Sequence, residues 1–211
     1  MADRFNEAIQ RDLDTGWERG QAHEPYAYAC ALFFYDSHGK YRYITQSLKY
    51  HGDLECGQHF GRMLGAMIAA SEHYQDISLV IPVPLHWRRK WKRGYNQAEV
   101  IAEEIAAAFG VPLRKDILVR KRRTQTQTQL SIAEKAANVA GAFGVAESAG
   151  DAFRTVCHDD SNRYGMPCHI LLVDDVFTTG STLGECFMAL RTVFPPEVRI
   201  SVATLAFVGG T

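Results

Sequence analysis

Two near-continuous apolar runs constrain this chain most: "ISLVIPVP" (Ile77–Pro84) and "HILLV" (His169–Val173). A strand with one solvated face alternates apolar and polar residues, whereas a strand covered on both faces does not. Each run is therefore read as a buried strand of a parallel sheet, and each precedes a helical pattern. After the first comes "YNQAEVIAEEIAAAFG", with Ala98, Ile101, Ile105, Ala108 and Phe109 on one side and Gly110 as its stop. After the second comes "TLGECFMALRTVF", with Leu183, Cys186, Phe187 and Leu190 recurring at helical spacing. Further strands are expected in "YAYACALFFYD", "VPLRKDILVR", "NVAGAFGV" and "VRISVATLAF". Helices are expected in "YRYITQSLKYHGD" through Ile44 and Leu48, and in "LECGQHFGRMLGAMIAA" through Leu54, Phe60, Leu64 and Ile68. Strands alternating with helices predict an α/β fold: an open, mostly parallel twisted sheet with helices on both faces. A chain of 211 residues supports one full core. The pattern changes near residue 72, which divides an N-terminal helix-and-strand segment, 1–72, from an α/β domain, 73–211.

The stretch "ILLVDDVFTTGST" (Ile170–Thr182) carries the most chemistry. Asp174 and Asp175 follow the apolar run, at the carboxyl end of a strand, where open α/β sheets bind ligands. Thr182 and Glu185 fit a T-x-x-E capping box, which places a helix start there. The preceding loop then presents free N–H groups and the positive end of a helix dipole, a setting for an anion. Gly180 allows close backbone approach, and the hydroxyls of Thr178, Thr179, Ser181 and Thr182 add donors. The first glycine and the lysine of a nucleoside-triphosphate P-loop are missing. Carboxylates repel phosphate, so the acids face another part of the ligand. A sugar diol, which donates two hydrogen bonds, and Mg²⁺ are the two partners that fit. The residues alone point to a ribose phosphate.

Charge sharpens the picture. The formal net charge is -1, yet Arg88–Lys135 holds 12 lysines and arginines against 5 acids. Such a band serves an anion, either a small phosphate or a nucleic-acid backbone. It contains a basic turn after the first buried strand, "PLHWRRKWKRGYNQAE", with Trp87, Trp91 and Tyr95 interleaved. It also contains "LVRKRRTQTQTQL", a low-complexity stretch read as a mobile flap. The N-terminus is polar and acidic, unlike a signal peptide or a membrane span. Five scattered cysteines without a C-x-x-C pair argue against a disulfide framework or a structural zinc site, and fit a reducing cytoplasm.

"LLVDDVFTTGST" resembles the phosphoribosyl-pyrophosphate (PRPP) signature of type I phosphoribosyltransferases. "PVPLHxxRxxxRGYNQAE", with Arg122, Thr124, Gln127, Leu130 and "NVAGAF", resembles the competence protein F family more narrowly. The resemblance runs from about Tyr41 to the C-terminus. It implies that Asp174 and Asp175 are the site acids, binding the ribose 2′ and 3′ hydroxyls, and that Thr178, Thr179, Gly180, Ser181 and Thr182 cradle the 5-phosphate. Pro84, Leu85, His86 and Arg88 would line the pyrophosphate side. Arg120, Arg122, Arg123, Thr124 and Gln127 would belong to a flexible loop closing over PRPP. The implied cofactor is Mg²⁺ carried by PRPP, with no metal caged by the protein. The implied reaction is glycosyl transfer: a base or amine displaces pyrophosphate from C1. His86 and His51 qualify as general bases by chemistry only. A role in natural transformation is also implied, with single-stranded DNA, a helicase and recombination proteins as partners. Residues 1–72 would form the hood that chooses the acceptor. Two departures stand out: many relatives carry an N-terminal cysteine-rich zinc module that this chain starts without, and Lys135 stands where arginine is common. Asp151–Pro167 reads as extra surface length, and the oligomeric state is left open.

Overall fold

A computed structural model describes residues 27–34, 44, 47–48, 53–122, 132–157 and 168–208. The polar N-terminus 1–25, His51, the flap residues Arg123, Thr124 and Gln127, and segment 158–167 lie outside the described residues. In chain order the elements are β1 (Ala29–Phe34), α1 (Leu54–Ala69), a 3₁₀ turn (Glu72–Tyr74), β2 (Leu79–Pro82), α2 (Trp87–Arg93) and α3 (Gln97–Phe109). Then come β3 (Leu118–Arg120), α4 (Ile132–Val139), β4 (Phe143–Val145), α5 (Ser148–Cys157), β5 (His169–Phe177), α6 (Ser181–Arg191) and β6 (Arg199–Phe207). The main sheet has the order β1-β6-β5-β2 and every pairing in it is parallel. β3 and β4 stand apart as a short antiparallel pair, Leu118 opposite Val145. Asp151–Cys157, expected as surface length, completes α5.

Period-two alternation explains the layering. Along β5, Ile170 and Leu172 enter one core with Leu79 and Ile81 of β2, Leu183, Cys186, Phe187 and Leu190 of α6, and Leu118 and Phe143 of the small sheet. Leu171 and Val173 enter the other core with Val80, Ala203 and Leu205 of the sheet, Leu64 and Ile68 of α1, and Ile101 and Ile105 of α3. These side chains are almost wholly buried, each stabilising the fold by roughly 1.5–3 kcal/mol relative to an exposed position.

The α1–α3 contact differs from the pattern of large residues. Leu54 is exposed and Phe60 half-buried, while Gly57, Gly61 and Gly65 are buried. A Cβ on Gly61 would lie 3.3 Å from the Ile101 Cα, and one on Gly65 3.4 Å from the Ile105 Cα. Gly61 and Gly65 let the helices meet backbone to backbone, and Gly57 leaves room for the Leu48 and Val100 side chains. On α3 the inward face is Ala98, Ile101, Ala102, Ile105 and Ala106; the expected Ala108 is exposed.

A polar network ties the amino edge of the sheet. His169, fully buried, meets Asp76 Oδ1 through Nδ1 at 2.8 Å and Ser201 Oγ through Nε2 at 2.7 Å. A carboxylate only accepts, so Nδ1 carries the proton and Ser201 donates to Nε2. Ser201 Oγ accepts in turn from Tyr28 N at 3.0 Å, which fixes the chain entering β1. Arg199 pairs with Asp76. Burial pushes the His169 pKa down to about 4. Among the described residues Cys30, Cys56 and Cys186 are free thiols and Cys168 is disulfide-bonded, a single bond where the sequence argued against a disulfide framework. Disulfides require proximity in space, which scattered sequence positions do not reveal.

Candidate functional site

β2 and β5 are neighbours, and their chains leave the sheet in opposite directions. β2 leads into α2 and α3, and α3 packs on one face; β5 leads into α6, which packs on the other. Divergent exits open a crevice at the carboxyl edge between the two strands, the switch point where such sheets bind ligands.

β5 does not stop at Val173, where the apolar run ends. It continues to Phe177 because β6 keeps pairing: Asp174 opposite Thr204, Val176 opposite Ala206, Phe177 opposite Phe207. β2 ends at Pro82 opposite Val173, with a last bond from Val83 N to Val173 O at 2.8 Å. Asp174 and Asp175 therefore lie just past β2, held from the β6 side and half-buried. Asp174 Oδ1 accepts from Asp175 N at 2.8 Å, which orients that carboxylate.

Beyond them, Gly180 is the N-cap of α6 with φ +71°, a left-handed conformation suited to glycine. Thr179 Oγ1 and Ser181 Oγ are 2.9 Å apart, so the two hydroxyls are already joined. The helix starts at Ser181, which places Thr182 inside its first turn, and the T-x-x-E capping box is not formed. Glu185 Oε2 instead accepts from Gly141 N at 2.7 Å, pinning the turn before β4. A glycine cap brings no side-chain acceptor, so the first-turn N–H groups of α6 are left for solvent or an anion.

The turn after β2 is built by caps. Pro84 and Leu85 are half-buried, and His86 is 5% exposed. His86 caps α2, its Nδ1 accepting from Arg88 N at 3.2 Å. Arg88 is exposed, its guanidinium 5.1 Å from the Trp87 ring centre. α2 stops at Gly94, φ +84°, whose N–H reaches Lys90 O at 2.7 Å. Asn96 then caps α3 through Ala98 N at 3.2 Å and donates to Val83 O at 2.9 Å. Tyr95 Oη and Gln97 Nε2 both donate to Leu48 O, the latter at 3.1 Å. "GYNQ" thus clasps the post-β2 turn and the N-terminal segment together. Tyr95 is spent on this clasp, unlike Trp87 and Trp91, with which the sequence grouped it.

Of the flap residues, Arg120 ends β3 with its guanidinium 4.9 Å from the Phe143 ring centre. Burial lowers its pKa, the charge of Arg89 lowers it further, and Asp174 opposes both. Arg120, Arg89 and Asp174 thus share one electrostatic neighbourhood beside the crevice. Arg89 belongs to the basic band, but the sequence reading did not single it out. The phase of α2 was its signal: Arg89 and Arg93 are half-buried while Trp87, Arg88, Lys90, Trp91 and Lys92 are exposed. Arg122 donates to Asn138 O at 3.2 Å and Ala140 O at 2.9 Å at the end of α4. Among the described residues, no group of three or more His, Cys, Asp and Glu converges as a metal cage. No described helix is long and apolar enough to cross a membrane.

The sheet, its switch point and the acid-plus-glycine turn define the class. The phosphoribosyl transferase domain model matches residues 96–208, over half of the chain, and the chain belongs to that family. It is similar to competence protein F of Haemophilus influenzae, 30% identical over 161 residues, covering 74% of this chain and 64% of that protein. It is also similar to the DNA utilization protein YhgH of Salmonella typhi, 32% identical over 148 residues, 67% of this chain and 57% of the relative. The chain thus spans less than two thirds of the length of these relatives. Similar solved structures include the allosteric regulatory enzyme of purine biosynthesis, 22% identical with TM-score 0.37, covering 69% of this chain and 25% of that one. A protein from Thermus thermophilus is 15% identical with TM-score 0.36, covering 72% of this chain and 83% of that one.

Proposed function

We propose that the chain is a DNA-handling accessory protein on a phosphoribosyltransferase fold, and that its β2–β5 crevice holds PRPP. The observation that carries the ligand assignment is the divergence of β2 and β5 beside Asp174, Asp175 and the Gly180 turn. The DNA role is supported by its similarity to competence protein F and to the DNA utilization protein YhgH. Asp174 and Asp175 accept from the ribose 2′ and 3′ hydroxyls, and residues 178–182 donate to the 5-phosphate. The turn Pro84–Arg88 faces the pyrophosphate, with Arg89 and Arg120 adding charge. Mg²⁺ would arrive on the pyrophosphate and spread its negative charge; the half-buried acids fit a ligand-borne ion better than a protein cage.

Binding without turnover suits His86, whose ring is buried and committed as a cap. The second reading, transfer of the phosphoribosyl group to a base or amine, is favoured by the same acid-and-nest arrangement, which compensates charge as C1 loses pyrophosphate. On that reading, segment 1–72 is the hood that selects the acceptor, and the flap excludes water. Calorimetric titration with Mg–PRPP tests the ligand, and pyrophosphate release over a panel of bases and amines tests turnover. Heat of binding without pyrophosphate release supports the accessory role. Release with one acceptor makes the protein an enzyme, and no heat at all removes the PRPP assignment.

A further inference from the structure

Helix α2, "WRRKWKR", has five cations and no acid, and it leaves the sheet at the same carboxyl edge as the crevice. Trp87 is 65% exposed and Trp91 86% exposed. The Trp87 ring stacks on His86 with 5.7 Å between ring centres, and both indoles still present apolar surface of the kind that marks an interaction site. Arg88 lies over the Trp87 ring, Lys92 is exposed, and Lys90 is paired with Glu99 at 2.8 Å. The helix is held at both ends, by the His86 cap and by the Gly94 stop followed by the Asn96 clasp. We propose that Trp87 and Trp91 form a stacking platform for single-stranded DNA, with Arg88 and Lys92 as its phosphate contacts.

The spacing selects the strand form. Residues four apart rise about 6 Å along a helix and lie on one face. Successive bases in a duplex are about 3.4 Å apart and enclosed by their neighbours. Two indoles about 6 Å apart therefore take bases from an unstacked strand, and do so with little sequence preference, because every base has a π-face. Apolar rings ringed by cations complement a nucleic acid better than an apolar protein surface or a lipid tail. This inference rests on the DNA-handling reading and gives it a location.

The test is fluorescence anisotropy with a labelled oligothymidylate of about 20 nucleotides and with a duplex of the same length, enough for several stacked bases. Trp87→Ala and Trp91→Ala should each weaken single-strand binding by about tenfold or more and leave duplex binding unchanged. Arg88→Ala with Lys92→Ala should reduce the salt slope by about 1.4. Trp91 lies outside the Pro84–Arg88 turn and is exposed, so for Trp91→Ala the melting temperature and the Mg–PRPP response should not move. Single-strand binding that survives both tryptophan changes overturns the platform and leaves the DNA-handling reading standing elsewhere on the chain. No binding of either DNA form by the unaltered protein overturns both. Equal affinity for duplex and single strand overturns the selection for an unstacked strand.

Discussion

The side-chain amide of Asn96 holds the carbonyl of Val83 at 2.9 Å, joining the start of α3 to the end of β2. The same side chain caps α3 through Ala98 N, so one residue sets both the helix and the crevice wall.

Asn96→Ala removes the cap and strands a buried carbonyl. Cap loss costs about 1 kcal/mol and an unmet buried acceptor about 1–3 kcal/mol. Chemical denaturation should show a loss of about 2–4 kcal/mol. Asn96→Asp keeps the cap acceptor but not the donor, and should fall between the two. An alanine variant as stable as the parent would mean that the clasp contributes nothing.

Gly61→Ala pits two effects against each other. Alanine gains about 1 kcal/mol in helix propensity, while overpacking costs about 1–3 kcal/mol. The new Cβ meets backbone at Ile101 Cα, 3.3 Å away, as well as Glu104 Cβ at 3.1 Å, and backbone cannot swing aside. Denaturation should show net destabilisation. A gain in stability would show that α1 and α3 separate freely.

His169 sets an acid limit. It is neutral when folded, its pKa lowered by burial from 6.5 to about 4, and Asp76 is already balanced by Arg199. A histidine with a depressed folded pKa contributes full stability above about pH 6.5. That contribution is lost as pH falls from there towards about 4, in total about 3 kcal/mol. His169→Gln should flatten the stability profile over this window. An unchanged slope would place the acid sensitivity in other groups.

What was legible follows from where the information lies. Burial on both faces writes itself into every residue of Leu79–Ile81 and Ile170–Val173, so the parallel sheet and its helices could be read directly. Asp174 and Asp175 stand out as candidates because charge at the end of an apolar strand is conspicuous. The extension of β5 to Phe177 was not legible, since it depends on continued pairing with β6 and not on composition. The α1–α3 seam was not legible for a related reason: a glycine face carries no hydrophobic signal. Thr182 matched a capping box by spacing, but the left-handed Gly180 is the cap, two residues earlier, and Glu185 goes to Gly141 instead. That the Arg122 guanidinium closes the end of α4 was not legible either, because its carbonyl partners lie 16 and 18 residues further along the chain. The half-buried position of Arg89 was implicit in helical phase and was hidden by the uniformly basic run around it.

The central claim is that Asp174, Asp175 and the Gly180 turn hold a phosphorylated ribose at the switch point. The most direct measurement is the melting temperature with and without Mg–PRPP, for the parent chain and for the Asp174→Asn, Asp175→Asn double variant. At about 100 times the dissociation constant, a bound ligand stabilises the parent by about 2.7 kcal/mol, a rise of about 5–10 °C for a domain of this size. The account predicts that rise in the parent and its loss in a double variant that still melts cooperatively. An equal rise in both proteins, or none in the parent, would contradict it.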